Sequence, residues 1–191
     1  NDSKKLTAEK RAELRTAIAK METEGKLRTA WAAGSVMEIA AHNILGATRL
    51  AMARCIAKLA VGHMAPLFAA AGTEGELFGR TDARTFLVLV DGLPLRSFPY
   101  PHTALVKGDA RSLCVAMASI VAKVTRDRRM TELDACHSGY GFARHKGYGT
   151  EDHREAVLRL GRCPEHREAF LRKLLAARAD PAQMDFLATE D

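Results

Sequence analysis

The chain has 191 residues and a mass of 20.8 kDa, with 47% hydrophobic and 27% charged residues. Because domains span roughly 50–250 residues, this length excludes a second large domain, and the composition excludes a disordered chain. Lys and Arg number 29 against 23 Asp and Glu, which gives a net charge of +6 and a pI near 9.3. This basic surplus favours an anionic partner, with nucleic acid the first candidate.

The cysteines and the hydropathy pattern indicate a cytoplasmic protein. The four cysteines lie far apart in sequence, which argues against a zinc ribbon or a redox dithiol; they are Cys55, Cys114, Cys136 and Cys163. No apolar run approaches the roughly 20 residues that cross a bilayer, and the N-terminal stretch is polar. We therefore expect a chain that neither enters a membrane nor follows a secretory route.

An amphipathic helix is predicted at the N-terminal end. Thr7 is a good N-cap, apolar residues follow at helical spacing, and Gly25 ends the pattern. Residues 26–33, around Trp31, are typical of a short strand.

A second helix is predicted from Ser35 to about Lys58. Glu38 stands three residues after Ser35, which is the spacing of a capping box. The helix consists mainly of Ala, Met, Leu and Ile, so we expect it to be buried along much of its circumference. Residues 61–84 show no sustained period and predict helix fragments and loop.

Two short strands come next, and each ends at an aspartate beside a glycine. The apolar run 85–90 predicts a strand buried on both faces, followed by Asp91. Residues 103–107 predict a second strand, followed by Gly108 and Asp109. Prolines in the connection favour an extended or turning path; they are Pro94, Pro99 and Pro101.

The remaining pattern is helical and completes an α/β fold. A third long helix is predicted over 112–135, and a glycine-rich loop over 139–149. Thr150 then caps a helix that ends at Gly161, and Pro164 begins a last helix that reaches about Ala179.

Asp91 and Asp109 are the candidate metal ligands. In an open α/β sheet, ligands bind where the strands end, and two neighbouring carboxylates there favour a divalent cation. An ordinary Asp-Gly turn explains the Asp91 pattern about as well, and it explains Asp109 alone better.

The glycine-rich loop is the candidate nucleic-acid contact. It combines backbone freedom, positive charge and flat rings, which can follow a phosphodiester backbone and stack on sugar or base. Its candidate residues are Arg144, Lys146 and Tyr148, and Lys4 and Lys5 precede the first helix, where phosphate is favoured. A solvated basic loop remains the alternative.

Several other classes of site find no support in the sequence. The seven histidines show no metal-ligand spacing, so we expect them in the core or on the surface. The motifs of serine hydrolases, phosphate-binding loops and dinucleotide-binding folds do not occur in the chain.

Taken together, the motifs resemble those of ribonuclease HII, the type 2 ribonuclease H family. The segments that carry the resemblance extend over nearly the whole chain: Asp2-Ser-Lys-Lys-Leu6, Glu38-Ile39, Asn43-Ile44, Val90-Asp91-Gly92, Lys107-Gly108-Asp109-Ala110, residues 118–127, Met130, residues 140–150, His153, Gly161 and His166-Arg167.

The resemblance implies a ribonuclease H-like mixed sheet with flanking helices. It also implies endonucleolytic cleavage of RNA in RNA–DNA hybrids and of ribonucleotides embedded in duplex DNA, with Mg²⁺ or Mn²⁺ held by four acids. The third and fourth acids fall on Asp91 and Asp109, and Tyr148 matches a tyrosine that packs against the sugar beside the ribonucleotide. Lys4, Lys5 and Lys146 lie in motifs that neighbour the nucleic-acid backbone.

The family's Asp-Glu-Ala-Gly-Arg-Gly segment, with two of its four acids, does not occur in this sequence. We therefore expect a piece of a longer protein, with an N-terminally incomplete core over 1–135 and a substrate-binding loop and helices over 136–191. We expect the protein to be a monomer. The alternative is a catalytically incomplete nucleic-acid-binding remnant of the family.

Overall fold

The computed structural model describes residues 6–60 and 87–179. It divides into two compact units. The first unit comprises Asn1–Ala33 and Thr48–Lys123, and the second comprises Gly34–Ala47 and Val124–Asp191. The predicted boundary between 135 and 136 stays a prediction.

The described residues form seven helices and two strands. In chain order they are α1 (Ala8–Thr23), α2 (Val36–Ala60), β1 (Leu89–Asp91), β2 (Thr103–Leu105), α3 (Gly108–Arg111), α4 (Leu113–Cys136), α5 (Phe142–His145), α6 (Glu151–Leu160) and α7 (Glu168–Ala179). The division between the units falls within α2 and within α4. The mixture of helices with a small sheet agrees with the predicted α/β class. Residues 61–84, predicted as helix fragments and loop, lie outside the described residues.

Helix α1 begins as its sequence predicts. The Thr7 Oγ1 accepts a hydrogen bond from the Lys10 amide at 3.2 Å. The strand predicted over residues 26–33 is wrong, because this segment is irregular. The amide and hydroxyl of Thr29 donate to the Glu22 carboxylate at 2.9 and 2.6 Å, so the segment bonds to α1 and not to a neighbouring strand.

The capping box of α2 is confirmed. The Ser35 amide donates to Glu38 Oε2 at 2.8 Å, and the Glu38 amide donates to Ser35 Oγ at 3.1 Å. The expected burial of α2 is wrong, since Met37 is 82% exposed and Leu45 is also exposed. Asn43, with φ 57° and ψ 176°, breaks the helix and divides its apolar run, so no single apolar stripe continues along it.

The two strands form a parallel pair. Asp91 lies opposite Leu105 in the register, and Val90 lies opposite Ala104. Residues 85 and 86 of the predicted first strand lie outside the described residues. The expected burial on both faces is wrong: Val90 is buried, whereas Leu87 is 68% exposed. Alternate side chains in a strand point to opposite faces, and within β1 Val90 is buried, Leu89 is half-buried and Asp91 is exposed.

The second unit has a compact apolar core. Its buried residues are Leu133, Tyr140, Phe142, Ala156, Val157, Cys163 and Leu174. The rings of Tyr140 and Phe142 stack at 5.4 Å, and the Tyr140 hydroxyl donates to the Gly161 carbonyl at 2.9 Å. This core holds the glycine-rich loop against α4, α6 and α7.

The predicted ends of α6 are confirmed, whereas the predicted start of α7 is wrong. Thr150 accepts at its hydroxyl from the His153 amide at 3.4 Å, and Gly161 follows the last residue of α6. Helix α7 begins at Glu168, four positions after the predicted start at Pro164. The intervening turn is closed by the Cys163 amide, which donates to His166 Nδ1 at 2.9 Å.

None of the helices in residues 6–60 and 87–179 is both long enough and apolar enough to span a bilayer.

Candidate functional site

Asp91 is fixed at the end of β1 by the start of α3. The Gly108 amide donates to Asp91 Oδ1 at 2.7 Å. A Cβ atom at position 108 would lie 3.2 Å from that oxygen and 3.1 Å from Val115 Cγ1. Glycine therefore allows the backbone of α3 to approach the carboxylate closely enough to bond it.

Asp109 follows directly after the amide that holds Asp91. It lies in the first turn of α3 and is half-buried, whereas Asp91 is exposed. The turn into α3 depends on Lys107, whose φ of 55° and ψ of 45° are left-handed. The structure thus brings the end of β1 and the start of α3 together, and the joint metal-binding role of the two acids stays a prediction.

Tyr148 lies in the second unit with a cation beneath its ring. Arg126 Cζ is 4.8 Å from the ring centroid, and the tyrosine keeps 51% of its surface exposed. The Tyr148 amide donates to the His145 carbonyl at 2.9 Å. The preceding Gly147 has φ +78° and would bring a Cβ within 3.2 Å of Met130 Sδ, so the loop is pressed closely onto α4. A half-exposed aromatic ring on a fixed loop can act as a stacking surface.

The predicted basic residues of this loop differ in what they contact. The Lys146 Nζ donates to Thr131 Oγ1 at 3.1 Å, so its ammonium is tied to α4. Arg144 is exposed and pairs with Asp152 at 2.8 Å, so part of its charge is compensated within the unit. The predicted contacts Lys4 and Lys5 lie outside the described residues.

A family model described as Ribonuclease HII matches residues 1–175 of this chain. The chain belongs to the ribonuclease HII family. Ribonuclease HII from Synechococcus elongatus is 41% identical over 174 residues, covering 91% of this chain and 69% of the relative. Ribonuclease HII from Moorella thermoacetica is 42% identical over 172 residues, covering 89% and 70%. Ribonuclease HII from Mycobacterium bovis is 52% identical over 84 residues, covering 44% and 32%.

The contact of Arg126 with Tyr148 was not predicted from the sequence. Its motif carried part of the resemblance to ribonuclease HII, but nothing in the spacing connects Arg126 with Tyr148 in the loop. The Arg126 Nη1 is buried and has no hydrogen-bond partner within the part of the chain that the structure describes. Its position under the tyrosine ring gives the guanidinium a favourable contact that offsets part of this cost.

A cluster of three buried histidines, His145, His153 and His166, lies behind Tyr148 and was also not predicted. The rings of His145 and His153 stack at 4.1 Å with an angle of 12° between their planes. His153 Nε2 lies 3.1 Å from His166 Nε2, and His153 Nδ1 lies 2.8 Å from the Tyr148 carbonyl. The histidines were expected in the core or on the surface, but their mutual contacts depend on tertiary packing that no sequence spacing reveals.

Burial keeps the paired histidines neutral. The pKa of His153 is lowered from the usual 6.5 to about 4, mainly by burial and also by the neighbouring His145 and His166, while the Tyr148 carbonyl opposes the shift. Burial likewise lowers the pKa of His166. A charged His153 would lose its hydration without gaining a carboxylate partner, whereas Glu165 partly opposes the lowering at His166.

Titration of His153 predicts a loss of stability in acid. Between pH 6.5 and about 4 the unfolded chain binds a proton at this imidazole and the folded chain does not, so the free energy of unfolding falls as the pH falls. Denaturant melts at several pH values should show a shallower slope over this range for His153→Asn than for the unmutated chain. His42→Asn, which removes an imidazole from an exposed position, is the matched control. An unaltered slope for His153→Asn would contradict the assignment.

Proposed function

We propose that this protein is a divalent-metal-dependent endoribonuclease that cleaves the RNA strand of RNA–DNA hybrids and single ribonucleotides embedded in duplex DNA. The observation that carries the proposal is the hydrogen bond from the Gly108 amide to Asp91 Oδ1, which holds one acid beside the backbone of the other. In a chain of the ribonuclease HII family, these are the positions of two metal-binding acids.

The chemistry of the two acids fits Mg²⁺ or Mn²⁺. Both cations favour carboxylate and water oxygens, and Asp91 and Asp109 offer oxygen ligands at a strand end. No group of three or more His, Cys, Asp and Glu side chains suited to a metal occurs within residues 6–60 and 87–179. In our proposal the other two acids belong to the family's Asp-Glu-Ala-Gly-Arg-Gly segment, which these 191 residues do not contain.

Each residue at the acidic site has a defined task in the proposed reaction. Asp91 and Asp109 would help to hold two divalent cations, which would supply activation of a water and stabilisation of the departing 3′ oxygen. The Gly108 amide orients the Asp91 carboxylate before any ligand arrives, because it bonds one of the two carboxylate oxygens. Such preorganisation limits the rearrangement needed when substrate binds.

The loop and helices of residues 136–191 supply substrate binding in this proposal. The Tyr148 ring packs against the sugar beside the scissile ribonucleotide, with Arg126 supporting it from α4. Arg144 and Lys146 follow the phosphate backbone, as do Lys4 and Lys5. The net charge of +6 agrees with a polyanionic substrate. We place this activity in the cytoplasm and in a monomer.

Asp91→Asn should abolish cleavage while leaving binding intact. The amide side chain can still accept from the Gly108 N–H, but it loses the negative charge that a cation requires. Cleavage of a duplex with one ribonucleotide is measured on the chain extended by the family's Asp-Glu-Ala-Gly-Arg-Gly segment, and hybrid affinity is measured on both forms. Glu132→Gln, which also removes one carboxylate from an exposed position, is the control and should cleave normally. Unchanged turnover in Asp91→Asn would remove Asp91 from the metal site.

Tyr148→Ala should weaken hybrid binding by about 1–3 kcal/mol, the usual contribution of aromatic stacking. Tyr148→Phe retains the ring and should bind close to normally. Fluorescence anisotropy gives the affinity of both variants and thermal melts give their stability. Together they distinguish stacking on the substrate from packing in the fold. Normal affinity together with a lowered melting temperature in Tyr148→Ala would show a packing tyrosine and contradict the stacking role.

A further inference from the structure

We propose that His153 and His166 are positioning residues for Tyr148, which they hold through a relay of directed hydrogen bonds that ends on the Tyr148 carbonyl. This inference rests on the proposed function, because Tyr148 is the residue assigned there to the sugar of the substrate. It assigns a task to two buried side chains that the metal site and the basic loop do not use.

The first end of the relay fixes the tautomer of His166. The Cys163 amide lies 2.9 Å from His166 Nδ1, and an amide N–H can only donate. Nδ1 must therefore be the unprotonated nitrogen. A neutral His166 then carries its proton on Nε2, which lies 3.1 Å from His153 Nε2.

The second end of the relay fixes the tautomer of His153. The Tyr148 carbonyl lies 2.8 Å from His153 Nδ1, and a carbonyl can only accept. Nδ1 must therefore carry the proton, which leaves Nε2 as an acceptor. The two ends are independent of each other, and together they require the same middle bond, from His166 Nε2–H to His153 Nε2.

Ring packing prevents His153 from turning away from this arrangement. Its ring lies between His145, stacked at 4.1 Å, and Phe170, stacked at 5.0 Å. His145 is itself held at both nitrogens, since it accepts at Nδ1 from the Gly147 amide at 3.2 Å and donates from Nε2 to the Tyr140 carbonyl at 2.7 Å. The relay is therefore part of a rigid core.

The relay completes the restraint of Tyr148. The tyrosine amide donates to the His145 carbonyl, its carbonyl accepts from His153, and its ring lies over Arg126. A ring that is restrained in this way while half-exposed loses little further freedom when it stacks on a sugar, which favours binding.

The relay works only while both imidazoles are neutral. A proton added to His153 Nε2 would set two N–H groups against each other at 3.1 Å, and a proton added to His166 Nδ1 would oppose the Cys163 amide N–H at 2.9 Å. The other titratable groups that face the pair include His145 beside His153, and His137, Glu165 and the Tyr140 ring near His166. Of these, the imidazoles oppose protonation of the pair and Glu165 favours protonation of His166.

Two substitutions at position 153 test the two hydrogen bonds of the His153 ring separately. His153→Asn places an amide N–H near the former Nδ1 and can still donate to the Tyr148 carbonyl, but it loses the acceptor for His166. His153→Gln places an amide oxygen near the former Nε2 and keeps that acceptor, but it loses the donor to Tyr148. Both variants remove the ring and leave one relay partner unpaired, so loss of packing is common to the two.

The test is the affinity of each variant for an RNA–DNA hybrid, measured without divalent metal. His153→Gln should bind roughly two- to tenfold more weakly than His153→Asn, which is the effect of one hydrogen bond. The difference should vanish when Tyr148→Ala is added to both variants. Equal affinities, or a difference that survives Tyr148→Ala, would overturn the positioning role.

Nitrogen-15 spectra of the histidine rings distinguish failure of the relay from failure of the proposed function. In the unmutated chain without nucleic acid at neutral pH, we expect the Nδ1–H tautomer for His153 and the Nε2–H tautomer for His166. The opposite tautomers, or charged rings, would overturn the relay whatever the chain binds. The expected tautomers in a chain with no affinity for hybrid would refute the proposed function and, with it, the positioning role.

Discussion

The hydrogen bond from the Gly108 amide to Asp91 connects the fold to the proposed chemistry. It joins the end of β1 to the first residue of α3, and so places Asp109 next to a carboxylate from a different element. Only glycine allows this approach without displacing Asp91 or Val115, and the left-handed Lys107 turns the chain into position. In the proposed function, this backbone geometry orients one of the two acids before a cation binds.

In the second unit, the half-exposed ring of Tyr148 is restrained by contacts with buried and half-buried residues. These residues include three buried histidines, and each ring nitrogen of His145, His153 and His166 has a hydrogen-bond partner. Buried polar networks stabilise a fold only when they are satisfied, and this one is satisfied in a single tautomeric arrangement. Because this network requires neutral imidazoles, we expect acid to destabilise the second unit.

Local sequence rules predicted the features that depend on near neighbours. The caps at Thr7, Ser35 and Thr150 follow from short-range spacing. The predictions that are wrong or missing concern features whose structure depends on tertiary contacts. The predicted strand over 26–33 bonds instead to a glutamate of α1, and the contact between Arg126 and Tyr148 joins residues 22 positions apart.

The proposed endoribonuclease activity requires that Asp91 and Asp109 bind a divalent cation together. Paramagnetic broadening by Mn²⁺ in amide spectra of the 191-residue chain tests this, because it locates even weakly bound metal. Broadening should centre on the amides of Gly108 and Asp109, and either Asp91→Asn or Asp109→Asn should remove it. Broadening centred elsewhere, or unchanged in both variants, would contradict the assignment of the metal site.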